Sequence, residues 1–112
     1  MTGLELAKEA AKILDAKLGV DVKVLKVEEV TVITDYFVIV SGSSNTQVRA
    51  LADEVEYQLE LLGVVPARKE GTPTGGWIVL DYLTVIIHIF HSESREYYSL
   101  ERLWADAKPV EI

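Results

Sequence analysis

Apolar positions along the chain follow a helical period in two stretches and a strand period in most of the remainder. Leu6, Ala7, Ala10, Ile13, Leu14 and Leu18 fall on one stripe, which predicts a first helix over about residues 3–18. Thr2 and Glu5 have capping-box spacing at its start, and Gly19 is the expected stop. Val22 and Val24 alternate with polar residues and predict a strand with one polar face. Asp35-Tyr-Phe-Val-Ile-Val-Ser41 is apolar on both faces, as a central strand is. Gly42-Ser-Ser-Asn-Thr-Gln47 breaks that strand and opens a second helix, with Ser44 and Gln47 again at capping-box spacing. Its stripe, Val48, Leu51, Ala52, Val55, Leu59 and Leu62, runs up to Gly63.

The rest of the chain reads as strands with a helical end. Pro66 to Gly71 is short and charged and suits a sheet edge, because proline lacks a ladder donor and charges deter further pairing. Thr72-Pro-Thr-Gly-Gly76 is a turn. Two strands follow, Trp77 to Tyr82 and Thr84 to His91, then short helical turns over about 93–106 ended by Pro109. This order predicts an α/β (α+β) domain over residues 1–112, a mixed sheet of about five strands flanked by helices.

Charge narrows the class of partner. Eleven Lys and Arg against eighteen Asp and Glu leave a net charge of -7, the wrong sign for covering phosphates, so nucleic acid is not the expected main contact. The same charge favours a basic protein surface. With no cysteine, disulfides, thiolate nucleophiles and Cys-based zinc sites are excluded. Neither a signal peptide nor a membrane-spanning apolar run is found, so a soluble cytoplasmic protein with no membrane partner is expected.

The candidate chemistry is sparse. His88 and His91 point to opposite faces of one regular strand and cannot share a metal without a bulge; no metal and no cofactor are expected. Gly42-Ser43-Ser44 sits where helix amides could hold a phosphate and resembles the opening of nucleotidyltransferases. That chemistry needs an Asp-x-Asp pair for its cations, which the chain lacks, so a cap is the simpler role and a metal-dependent nucleotidyl or phosphoryl transferase the alternative. Trp77, Val79 and Asp81 share one strand face, Ile78, Leu80 and Tyr82 the other. A Trp beside an Asp is either an interface anchor with an acidic reader or a packed Trp and a turn-starting Asp. Arg95, Glu96, Glu101 and Arg102 read as solvated helix-end charges, and Leu100, Leu103 and Trp104 as core.

Several segments together resemble a known family. Thr34-Asp-Tyr-Phe-Val-Ile39, Ser41-Gly-Ser-Ser-Asn-Thr-Gln-Val48, Ala52-Asp-Glu-Val55, Gly76-Trp-Ile-Val-Leu-Asp-Tyr82, His88-Ile-Phe-His91 and Arg95-Glu-Tyr-Tyr-Ser-Leu-Glu-Arg-Leu-Trp104 are similar to the Iojap family, the ribosomal silencing factors. The resemblance covers residues 2 to about 107. It implies a nucleotidyltransferase-like topology without catalytic carboxylates, and binding rather than catalysis. It further implies attachment to large-subunit protein fourteen, a block on small-subunit joining, repression of translation when nutrients are scarce, and a homodimer when free. Trp77, Leu80, Asp81 and Tyr82 are the implied contact residues, with Lys69 and Glu70 nearby. The chain departs from the family after Asp-Tyr: Leu83-Thr84 stands where a Gly and an acidic residue are usual. Leu resists the positive φ of a tight turn, which makes Leu83 a candidate exposed apolar contact.

Overall fold

The computed structural model describes residues 1–98 and 104–112. Its elements are α1 (Gly3–Ala16), β1 (Val20–Lys26), β2 (Tyr36–Gly42), α2 (Asn45–Leu61), β3 (Arg68–Thr72), β4 (Trp77–Asp81), β5 (Val85–His91), α3 (Ser92–Tyr98) and β6 (Lys108–Val110). The strands form one mixed sheet in the order β3-β4-β5-β2-β1-β6. The expectation of about five strands is one short. Lys108-Pro109-Val110 pairs antiparallel with β1. Pro109 does not stop a helix here; an edge position tolerates its missing donor.

β2 and β5 are central and parallel, and the connection between them carries α2 over one face. Both are buried almost throughout, as their two-sided apolar sequences require. One face packs Val38, Val40, Val85, Ile87, Ile89, Ile78 and Leu80 under α1 and α2 to make the main core. The other face holds a smaller cluster of Leu25, Val27, Phe37, Ile39, Ile86 and Phe90, against which Trp104 and Ala107 pack. Trp104 meets Phe37 edge-on at 5.4 Å, in keeping with its expected core role. The side chain of Glu96 and residues Leu100, Glu101, Arg102 and Leu103 lie outside the described part.

Both expected helix starts are present. The Thr2 hydroxyl accepts from the Glu5 amide (3.1 Å) and the Glu5 carboxylate from the Thr2 amide (2.9 Å), which also holds the Glu5 carboxyl below its usual range. The stop of α1 falls one residue earlier than expected. Leu18, not Gly19, takes the left-handed conformation (φ 66°), while Gly19 N–H bonds the Leu14 carbonyl at 2.8 Å and Leu18 N–H that of Asp15 at 3.0 Å. Gly19 is needed for a different reason. A Cβ there would stand 2.5 Å from Val40 Cγ2, so the glycine lets the chain pass close against β2.

Arg95 overturns its expected role as a solvated charge. It is 8% exposed, and its guanidinium reaches back across the end of the sheet. Nη1 donates to the Asp21 carbonyl (2.8 Å), the Ser41 hydroxyl (2.9 Å) and the Val20 carbonyl (3.4 Å), and Nη2 lies 3.5 Å from the Asp21 carboxylate. Asp21 has φ 53° where the β1–β2 register shifts between Val20 and Lys23. The side chain therefore holds a bulge of β1, the end of β2 and the start of α3 together.

Candidate interaction face

Among the described residues, the least covered part of the sheet is the outer side of β3 and β4, with the buried Ile86 and His88 of β5 beside it. Five side chains from these strands, Arg68, Glu70, Val79, Asp81 and Ile86, surround a groove of about 290 Å³ whose floor includes Phe37 and His88 and whose edge includes Ile33. Strand parity decides which candidates reach it. In the β3–β4 register Arg68 lies opposite Asp81, Glu70 opposite Val79, and Thr72 opposite Trp77. These six side chains share the groove face.

The implied contact residues consequently divide. Trp77, Asp81 and Glu70 are on the groove face. Leu80 (1% exposed) and Tyr82 (6%) belong to the main core beneath the helices, so their side chains are not part of a surface as implied. Burial, with Glu56 adding to it, pushes the Tyr82 hydroxyl up to about 12. Lys69 also points to the helix side, where its ammonium meets the Glu56 carboxylate at 3.2 Å. At such exposure that pair contributes little. Arg68, Val79 and Ile33 were not among the sequence candidates. Parity with Trp77 identifies Val79, and the β3 register identifies Arg68; Ile33, in an irregular loop, carries no such signal.

Trp77 resolves into a mixture of its two readings. Its ring stacks on Phe90 at 4.9 Å between centroids and its Nε1–H donates to His88 Nδ1 at 3.1 Å, yet it stays half-buried. It closes one end of the second core cluster and presents its remaining surface. Asp81 serves the turn, as its Oδ1 accepts from the Leu83 amide at 2.8 Å, and its carboxylate lines the groove as well.

Leu83 completes that turn with φ 72° and is 66% exposed. The Tyr82 amide bonds the Val85 carbonyl at 2.8 Å, so the tight turn forms despite the side chain. Left-handed backbone costs a non-glycine residue about 1–2 kcal/mol, of which glycine's extra unfolded freedom returns about half. Leu83→Gly is therefore expected to raise unfolding stability by about 0.5–1 kcal/mol, read as a higher urea midpoint. A lower midpoint would mean that Leu83 packs against the fold.

His88 and His91 occupy opposite faces, as strand spacing predicted, His88 buried and His91 half-exposed. Among the described residues no group of three or more His, Asp or Glu is placed to hold a metal ion. The Gly42–Ser44 loop is engaged by its own helix. The Ser44 hydroxyl accepts from the Gln47 amide at 3.1 Å, and Gln47 Oε1 accepts from both the Ser43 amide (2.6 Å) and hydroxyl (2.9 Å). Gln47 Nε2 in turn donates to the Leu18 carbonyl at 3.0 Å. The Gln47 carboxamide thus sits on the donors a phosphate would use, which favours the cap over the transferase alternative.

Comparison with known proteins agrees across the whole chain. The model of a family described as "Ribosomal silencing factor during starvation" matches residues 1–112. Ribosomal silencing factor RsfS of Bacillus subtilis is 36% identical over 112 residues, covering 100% of this chain and 95% of that protein. The mouse protein named for mitochondrial assembly of the ribosomal large subunit is 33% identical over 90 residues, 75% of this chain and 38% of its own. A crystal structure of a Chromobacterium violaceum protein, 33% identical, superposes with a TM-score of 0.89 over 98% of this chain and 92% of that one.

Proposed function

Since this chain belongs to the ribosomal silencing factor family, we propose that it represses translation by docking the groove face of β3–β5 on large-subunit protein fourteen, where its bulk keeps the small subunit from joining. The observation that supports this reading is a groove on a sheet face left open by the described residues, largely apolar at its floor and carrying Glu70 and Asp81 beside Arg68 at its rim. A net charge of -7 steers such a face toward a basic protein surface and makes the encounter salt-sensitive. A stable patch needs about 800 Å² per partner, which a chain with 6377 Å² of surface can supply. Most of the groove residues stand on hydrogen-bonded strands, which leaves less backbone to order on docking.

The protein acts in this reading as a binder in the cytoplasm, with no reaction assigned to it. Its relatives in Bacillus subtilis and Halalkalibacterium halodurans are named as ribosomal silencing factors. No helix among the described residues is long and apolar enough to cross a membrane. The free protein is taken to be a homodimer, which must leave the groove open or dissociate before docking.

Sedimentation of purified subunits tests the proposal. Saturating protein is expected to shift joined ribosomes into separate subunits, and to co-sediment with the large one. Val79→Lys, which puts a cation in the groove and leaves the main core untouched, should weaken that association about tenfold or more while melting near the parent. Unchanged subunit joining at saturation would sink the reading; full binding by the Val79 variant would move the contact off this face.

A further inference from the structure

Three non-glycine positions among the described residues have positive φ: Leu18 (66°), Asp21 (53°) and Leu83 (72°). Aspartate enters this region more readily than leucine, and the Asp21 carbonyl is held by Arg95. Leu83 carries the strain with its side chain mostly in water, so it recovers little of that cost by burial. Its place in the fold gives the exposed side chain a use. The Leu83 amide is held by the Asp81 carboxylate, which lines the groove, and Ile33 lines the edge of the same groove. The Asp35 and Tyr36 amides both bond the Thr84 carbonyl at 3.1 Å, so the end of the loop carrying Val32 and Ile33 runs alongside the Leu83 turn. Val32 is fully exposed and Ile33 largely so. Single apolar side chains on a surface are ordinary, but these three stand at one end of the sheet, next to the groove.

We propose that Leu83, with Val32 and Ile33, forms an apolar lip that continues the groove and takes apolar side chains of the docked protein, Leu83 being a determinant of affinity. The charges at the adjoining rim are mixed, Arg68 lying opposite Asp81 with Glu70 nearby. An apolar protein surface therefore suits the lip better than a nucleic-acid backbone, which needs clustered cations. Stability and affinity then pull in opposite directions at position 83, since the side chain that serves docking strains the free protein. The inference rests on the docking reading above and adds a contact beyond the groove.

Four variants separate the side chain from the backbone. Leu83→Gly is expected to raise the urea midpoint and yet bind large subunits about tenfold more weakly in co-sedimentation. Leu83→Asn also suits left-handed backbone, without glycine's freedom, and should lose as much. Leu83→Met keeps an apolar side chain of similar volume and should stay within about threefold of the parent. Leu18→Gly is the control. It relieves the same kind of strain at the opposite end of the sheet, where Val20 pairs with Ser41, and should bind as the parent does. Calorimetry with isolated large-subunit protein fourteen should give the same ranking. Parental binding by Leu83→Gly and Leu83→Asn overturns the inference and leaves the docking reading intact. An equal loss in Leu18→Gly, or a lowered midpoint in Leu83→Gly, does the same. So does a loss seen with whole subunits but not with the isolated protein, which would put ribosomal RNA or another protein against the lip. Parental protein that does not bind large subunits overturns both readings.

Discussion

Replacing Arg95 with Leu is expected to lower unfolding stability by about 2 kcal/mol, because the buried Ser41 hydroxyl and the part-buried Asp21 carbonyl lose their charged donor. The Asp21 carbonyl and Ser41 hydroxyl, at 2.8 and 2.9 Å from Nη1, account for most of the loss. The Asp21 carboxylate is largely exposed and adds little. Lysine offers one ammonium in place of a planar fork, so Arg95→Lys should recover only part of the deficit. Urea unfolding of the three proteins measures the series. A loss under about 1 kcal/mol for Arg95→Leu would show that the bulge of β1 holds itself, and that Arg95 merely occupies a favourable site.

The second large effect is on acid stability. Burial lowers His88 from its ordinary 6.5 to about 4. The unfolded histidine takes up a proton below about 6.5, but the folded one does not until about 4. The stability linked to this group is therefore complete above 6.5 and falls as pH drops through that window. Each unit costs about 1.4 kcal/mol, for a total of about 3 kcal/mol by pH 4. The interval from 6.5 to 5 isolates histidine, since most carboxylates titrate lower. Unfolding free energies at these two pH values should differ by about 2 kcal/mol in the parent and in His91→Gln, and by much less in His88→Gln. An equal pH slope in all three would assign the acid loss to other groups.

What the sequence disclosed was set by the range of the interactions involved. Helix stripes, caps and the two-sided strand Asp35–Ser41 are local patterns, and the helices and central strands stand close to where those patterns put them. β6 escaped because Lys-Pro-Val has no period of its own and becomes a strand only by finding β1. Arg95 was misread for a related reason. Its Nη1 reaches two backbone carbonyls and a serine far away in the chain, and carbonyls leave no trace in residue type. The site shows both cases. Alternation along Trp77–Tyr82 already placed Trp77 and Asp81 opposite Leu80 and Tyr82, and the family resemblance, which names residues without faces, blurred that division. That His88 is held by Trp77 required the β4–β5 register, which aligns Trp77 with Phe90 and Val79 with His88.

The sheet order also has a temporal meaning. β2 and β5 are neighbours although α2, β3 and β4 lie between them in the chain, and β1 gains its second neighbour only from residues 108–110. Such closures across long loops put the molecule among slower-folding mixed domains. During its own synthesis, the central pair cannot zip until β5 has left the exit tunnel. The β1 edge stays open until the final strand follows it. A nascent copy is thus held unfinished, with an unpaired edge, until nearly all of its described length has emerged.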